Sequence, residues 1–195
     1  MVTLQDPSQP LYVEGYHKGS ATDPDDAVYD AITDVLSNGR TSRLYRSLVR
    51  DKQIAVAAQA LGGFPGDKYP NLFIVFGVPA RGHSNQEVKE AIRAELTRLK
   101  NEDISDEELA MVKTRTKADV IRSMSSNGGI AGNLAEYQTR FGDWRQLFLD
   151  VEKIEKVTKA DIRRVASKTF VDSNRTVGMI ETAAAPSGTG KQSGR

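Results

Sequence analysis

The amino-acid sequence predicts an α+β domain, with an antiparallel or mixed sheet and helices packed mainly on one face. The predicted elements run as a strand, two helices, a strand hairpin, several helices and a final strand, an order typical of this class. The 195 residues are enough for one domain with a sizeable core. No internal repeat or linker precedes Ala183, so we expect one αβ domain over residues 1–182. Residues 183–195 are small, polar and rich in Gly and Ser, which predicts a disordered tail.

The first part of the chain carries signals for one strand and two helices. β-Favouring residues predict a strand over 11–17. Asp23 as N-cap and Pro24 at the first helical position predict the start of a helix, which Asn38-Gly39 ends. Apolar residues at helical spacing then predict a second helix over 41–52.

Two further strands are predicted around a cluster of turn residues. Residues 54–61 and 72–76 flank the Gly- and Pro-containing segment 62–67, which indicates an antiparallel hairpin. Because residues 72–76 are apolar at every position, they predict an interior strand that is covered on both faces, or nearly so.

Helix starts dominate the second half of the chain. Ser84-x-x-Glu87 and Ser105-x-x-Glu108 are capping boxes, and each predicts a helix that begins there. The later signals are an interruption at Asn127-Gly128-Gly129, a possible cap at Asp143, a helix start at Thr158-x-x-Asp161 and a strand over 176–180.

Composition excludes several classes of function. The chain has 27 Lys plus Arg against 26 Asp plus Glu, a net charge of +1, which gives no reason to expect a nucleic-acid partner or an anionic membrane. No apolar run approaches the roughly 20 residues that cross a bilayer, so we expect no membrane span. The absence of cysteine removes disulfides, thiolate metal sites and cysteine nucleophiles.

The two histidines do not form a recognisable metal motif. His17 lies on a predicted strand and His83 in a predicted loop, and neither has a second histidine within a helical turn. Hydrolytic zinc sites need several converging His or carboxylate ligands, usually two of them on one helix. We therefore predict no metal ligand and no catalytic residue in this chain.

Four arginines form the sharpest candidate site. Arg40, Arg43, Arg46 and Arg50 are three or four residues apart on the second predicted helix, so they project along related faces. One interpretation is a solvated basic face. The other is a contact with an anion or a peptide, since a guanidinium can fork to a carboxylate or bind a peptide carbonyl.

The segment Gly39-Arg40-Thr41-Ser42-Arg43-Leu44-Tyr45 resembles one that is common in the C-terminal domains of pitrilysin/insulinase-family zinc peptidases, the family of the mitochondrial processing peptidase. The resemblance runs from about Leu11 to Glu181. It includes the Tyr-Pro-Asn strand start at Tyr69 and the helix openings at Ser105–Leu109 and Val157–Asp161. Bacterial members are the most similar, which implies a soluble protein of the bacterial cytoplasm or periplasm.

The resemblance implies a fold like the metallohydrolase domain of the mitochondrial processing peptidase and a division of labour between two such domains. The N-terminal domain carries His-x-x-Glu-His and the zinc, whereas the C-terminal domain closes the chamber and helps to hold the peptide substrate. Many members contact the substrate through an Arg and a Tyr six residues later. Arg50 occupies the Arg position, but Val56 occupies the Tyr position, so a phenol that could stabilise charge on the carbonyl oxygen is missing.

These implications give one leading hypothesis and two alternatives. The first is a non-catalytic domain that is inactive alone, binds peptide through Arg50, and pairs with a metal-bearing peptidase domain in the same gene product or in a partner subunit. The second is an inactive subunit or interaction protein of the same fold. The third is a self-contained enzyme of an unrecognised type.

Overall fold

A computed structural model describes residues 8–181, so the tail predicted over 183–195 lies outside the described residues. The strands are β1 (Leu11–Lys18), β2 (Ala55–Phe64), β3 (Asn71–Pro79) and β4 (Arg175–Ile180). The α-helices are α1 (Asp26–Ser37), α2 (Asn85–Asn101), α3 (Asp106–Ser123), α4 (Asn127–Phe141), α5 (Gln146–Lys156) and α6 (Lys159–Thr169). A π-helix spans Tyr45–Asp51 and a 3₁₀ turn spans Asp172–Asn174.

The sheet confirms the predicted class and is antiparallel throughout. Its strand order is β2-β3-β1-β4, and each neighbouring pair is antiparallel. The predicted hairpin is the β2–β3 pair, while β1, the first strand in the chain, lies inside the sheet with β4 beside it. Thus β2 and β4 form the two edges of the sheet among the described residues.

An aromatic cluster joins the sheet to the helices that cover one face. The ring of Phe73 on β3 lies 6.1 Å from Tyr29 of α1 and 5.4 Å from Phe170, which follows α6. Phe170 also meets Tyr16 of β1 edge to face at 5.1 Å. All four aromatic side chains are buried, so this cluster places the core between the sheet and the helices.

The opposite face of the sheet is more open than the sequence predicted. Along β3, buried residues alternate with half-buried ones, and Leu72, Ile74 and Phe76 belong to the half-buried set. The strand is interior in the sheet, as predicted, and its second face is half-buried rather than fully covered. The run of apolar residues does not require two layers of helices, because neighbouring side chains on the open face shield one another.

Local signals located most helix starts. The side chains of Ser84, Ser105 and Thr158 accept the N–H of the residue three positions later, and all three capping boxes are complete. Helices α1 and α5 are exceptions, since α1 begins at Asp26 rather than at Pro24 and α5 begins at Gln146 without a cap from Asp143. The Oδ1 of Asp23 accepts the N–H of Asp25 at 2.8 Å, so its capping group closes a turn just before the helix.

The break between α3 and α4 lies at residues 124–126, just before the predicted interruption, and Asn127, Gly128 and Gly129 form the first turn of α4. Ser126 accepts the N–H of Gly129 at 3.1 Å and thereby caps α4.

Within residues 8–181, no helix is both long enough and apolar enough to cross a membrane.

Candidate functional site

The segment 39–45, which carries the family resemblance, begins with a tight turn, and the residues of the segment itself stabilise this turn. Gly39 has a φ of +74°, a conformation that costs glycine little because it has no Cβ. The hydroxyl of Ser42 donates to the carbonyl of Gly39 at 2.8 Å, and Leu44 behind it is fully buried. These three positions therefore shape the chain and do not present groups to a ligand.

Arg43 is not part of a solvated face. Its side chain is only 5% exposed, and its Nε and Nη2 donate to the two carboxylate oxygens of Glu108, both at 2.8 Å. Glu108 also accepts the N–H of Ser105 at 2.9 Å, within the capping box that opens α3. The hydrogen bond from Arg43 lowers the pKa of Glu108 below its ordinary value. Two family-like segments are therefore joined by one forked ion pair.

The remaining arginines of the segment lie on or beside a π-helix, where the sequence predicted an ordinary helix over 41–52. The N–H of Lys52 donates to the carbonyl of Ser47 at 3.1 Å, the five-residue step of π winding. Two residues after the π-helix lies Gln53, a non-glycine residue with a φ of +53°. π-Helical turns are rare in proteins overall, but those that occur are often found at functional sites.

Arg50, the predicted substrate-binding residue, lies at the end of this π-helix. Its side chain is 58% exposed, and its Nε donates to the Oδ1 of Asp51 at 2.6 Å. Its Nη2 donates to the second oxygen of Asp51 at 3.2 Å. Because both partners are exposed, this adjacent ion pair is weak and can open to admit another acceptor.

Val56 lies at the start of the edge strand that follows Arg50. The pairing of β2 with β3 shifts between Ala55 and Ala57, so Val56 is the extra residue of a β-bulge, and its side chain is 63% exposed. The structure thus presents an apolar side chain at the exposed position where the resemblance expects a tyrosine. Bulges are frequent beside functional sites, where they redirect a side chain.

The two histidines lie on different elements. His17 is an exposed residue of β1, and the Nδ1 of His83 lies 3.1 Å from Glu87 at the start of α2. In the part of the chain that the structure describes, no three His, Cys, Asp or Glu side chains are grouped so that they could hold a metal ion.

The sequence interpretation missed a buried polar network in the centre of the sheet. Glu14 of β1 is completely buried and accepts hydrogen bonds from the hydroxyls of Tyr12 and Tyr16, the latter at 2.5 Å. The Nε of Arg93 donates to it at 2.9 Å, and Arg175 lies 4.0 Å away. Burial, followed by the bond to Glu14, raises the pKa of Tyr16. The two-residue spacing of these three β1 residues was the available signal, because it puts them on one face.

Comparison with known proteins identifies a family model and a protein that are similar to this chain. A family model described as the peptidase M16 inactive domain matches residues 2–116. The zinc protease PqqE of Helicobacter pylori is 29% identical over 167 residues, which are 83% of this chain and 36% of that protein.

Two solved structures have closely similar folds. A protease from Helicobacter pylori matches 89% of this chain and 41% of its own, with a TM-score of 0.82 and 25% identity. The inactive peptidase domain of a candidate zinc protease from Bordetella parapertussis matches 95% of this chain and all of its own, with a TM-score of 0.79 and 26% identity. The chain therefore spans less than half of either Helicobacter protein and the whole of the Bordetella domain.

Proposed function

Because the chain belongs to the family of peptidase M16 inactive domains, we propose that it closes the proteolytic chamber of a zinc metalloendopeptidase and binds extended peptide there. In this proposal a metal-bearing peptidase domain, in the same gene product or in a partner subunit, supplies zinc and the catalytic groups. The chain's own residues bind and position the substrate.

The juxtaposition of Arg50 with the edge strand β2 carries this proposal. An extended peptide can add to the edge of a sheet through main-chain hydrogen bonds, and β2 lies at such an edge. Arg50 precedes the strand on an exposed turn, and its guanidinium can donate to a peptide carbonyl. To do so it exchanges the weak contact with Asp51 for one with the substrate.

Val56 supports a binding role for this site over a catalytic one. The valine side chain has no hydroxyl that could stabilise an oxyanion, so rate acceleration at the scissile bond falls to the metal-bearing domain. The same residue favours a second candidate function, an inactive subunit or interaction protein that uses the fold only for assembly. The two functions differ in whether the assembled protein hydrolyses peptides in a chelator-sensitive way.

Replacing Arg50 in the assembled peptidase tests the proposal. We expect Arg50→Ala to lower kcat/KM about tenfold, the effect of losing one charge-assisted hydrogen bond to substrate. The thermal unfolding curve should not change, because Arg50 is exposed. Arg122→Ala is the matched control, since Arg122 is also an exposed arginine that pairs with a nearby aspartate. Unchanged kinetics for Arg50→Ala would leave Arg50 as a solvated side chain.

A further inference from the structure

A strongly basic groove lies between the π-helix and α2. Its volume is about 250 Å³, and five cationic side chains line it against two anionic ones. The cationic residues are Arg43, Arg46, Arg50, Lys52 and Arg98, and the anionic residues are Asp51 and Glu95. We call this feature the basic groove. Glu108 and Glu102, which lie just outside the lining, also pair with Arg43 and Arg98, so the unpaired positive charge of the groove comes from Arg46 and Lys52.

The inner wall of the basic groove contains a buried donor without a partner. Arg43 uses its Nε and Nη2 on Glu108, but its Nη1 is buried and makes no hydrogen bond to any residue in 8–181. A guanidinium N–H is a donor that cannot be deprotonated in a protein, and leaving it buried and unpaired costs free energy. An acceptor in the groove would remove that cost.

The outer wall of the basic groove carries charges that neighbouring residues do not neutralise. Arg46 and Lys52 are exposed and form no ion pair with any described residue. Arg98 contacts Glu95 at 3.3 Å and Glu102 at 3.4 Å, both long for a charged hydrogen bond. The groove therefore combines one inward donor with several loosely held cations around it.

We propose that the basic groove binds a carboxylate carried by a peptide, either an acidic side chain or a C-terminal carboxylate. The choice of a peptide rests on the proposed function, whereas the choice of an anion rests on the groove itself. A carboxylate is planar and matches the fork of a guanidinium, and two arginines can share its oxygens. Because the Nη1 of Arg43 is buried, neighbouring side chains must move aside before a carboxylate oxygen can accept from it, and Arg46 and Arg98 then close over the carboxylate.

Calorimetric titration of the full chain at low salt tests this proposal with three peptides of otherwise identical sequence. The first has blocked ends and a central glutamate, the second has blocked ends and glutamine in its place, and the third has glutamine and a free C-terminus. We expect the first or the third peptide to bind and the second to bind at least tenfold more weakly. Which of the two binds identifies the source of the carboxylate. Raising the salt concentration should weaken binding, since the outer cations are exposed.

Two variants connect the binding to the groove. Arg46→Gln and Arg98→Gln should each weaken binding of the acidic peptide about tenfold, because each removes one charged donor. Arg122→Gln, at the far end of α3, should leave it unchanged. Arg43 is left intact because it holds Glu108. Its guanidinium nitrogen signals should instead shift in an NMR titration with the acidic peptide and not with the blocked glutamine peptide.

Several outcomes would overturn the carboxylate site, and they can be separated from failure of the proposed function. Equal binding of all three peptides would leave peptide binding intact but remove the preference for an anion. Absence of binding, or binding of inorganic phosphate alone, would also overturn the proposal. A clear preference for the carboxylate together with normal kinetics for Arg50→Ala would instead overturn the role proposed for Arg50.

Discussion

At Arg43, one guanidinium connects two segments that are 65 residues apart in the chain. Removing one partner of such a pair leaves a buried charge without compensation, which costs more than the pair itself contributes. The ion pair therefore links the segment that begins with the tight turn at Gly39 to the capping box that opens α3, and it gives both a structural role.

We expect Glu108→Gln to destabilise the domain by about 2 kcal/mol, less than for a fully buried pair because Glu108 is partly exposed. Glutamine can still complete the capping box, so the substitution isolates the contact with Arg43. Urea denaturation at pH 7 measures the change. Glu87→Gln is the control, since it alters the equivalent position of the α2 capping box, where the glutamate is exposed and contacts His83 instead of a buried arginine, and it should change stability less. Equal effects of the two substitutions would contradict this account.

The Arg43–Glu108 pair also predicts how the difference in stability between the wild-type chain and Glu108→Gln depends on pH. Arg43 lowers the pKa of Glu108 below its ordinary value of 4.5, so the folded state holds the ionised carboxylate more tightly than the unfolded state does. The resulting stabilisation is complete above the unfolded-state pKa and is lost as pH falls through the folded-state pKa. The difference in the free energy of unfolding between the wild-type chain and Glu108→Gln should therefore become smaller below about pH 4.5. Urea titrations between pH 3 and 7 measure this difference. A difference in the free energy of unfolding that does not change with pH would contradict the lowered pKa of Glu108.

At the scale of elements, the π-helix is followed by a residue whose backbone conformation is unfavourable for a non-glycine side chain. Gln53 has a φ of +53°, which glycine adopts with little strain, whereas Lys52 before it has a φ of −84°. We expect Gln53→Gly to stabilise the domain by about 0.5 kcal/mol, the relief of strain exceeding the added chain entropy. Lys52→Gly should destabilise it by about 0.5–1 kcal/mol. Urea denaturation of both variants measures these changes, and destabilisation by Gln53→Gly would contradict the argument.

The elements that the sequence predicted best are those whose signals are local. The capping boxes at Ser84 and Ser105 use residues three positions apart, and each is formed as predicted. The winding of residues 45–51 was not predictable in this way, because helical spacing of apolar residues indicates a helix without specifying five-residue hydrogen bonds. The burial of Arg43 was also missed. It depends on Glu108, a partner supplied by a distant helix.

At the scale of the whole molecule, one face of the sheet is only half covered by the described residues, and at the β2 edge Ser37 of α1 accepts the N–H of Ala60. Central placement of β1 depends on long-range pairing with β3 and β4, which no local pattern specifies. The exposed side chains of Leu61 and Phe64 on β2 extend the half-buried apolar surface of β3 to that edge. An exposed apolar surface of this kind commonly marks an interaction site, and in the proposed function assembly or substrate buries it.

In the proposed function, catalytic activity belongs to the assembly and not to this chain. The family model that matches residues 2–116 is described as an inactive domain, and the proposal assigns zinc and the catalytic groups to a separate metal-bearing domain. We therefore expect the purified chain to release no product from a fluorogenic peptide. Adding the metal-bearing domain, identified by His-x-x-Glu-His in the same or a neighbouring gene, should give hydrolysis that a chelator abolishes. The metal-bearing domain alone is the control and should be much slower. Chelator-insensitive hydrolysis by this chain alone would favour the self-contained enzyme, and an inactive assembly would favour the interaction protein.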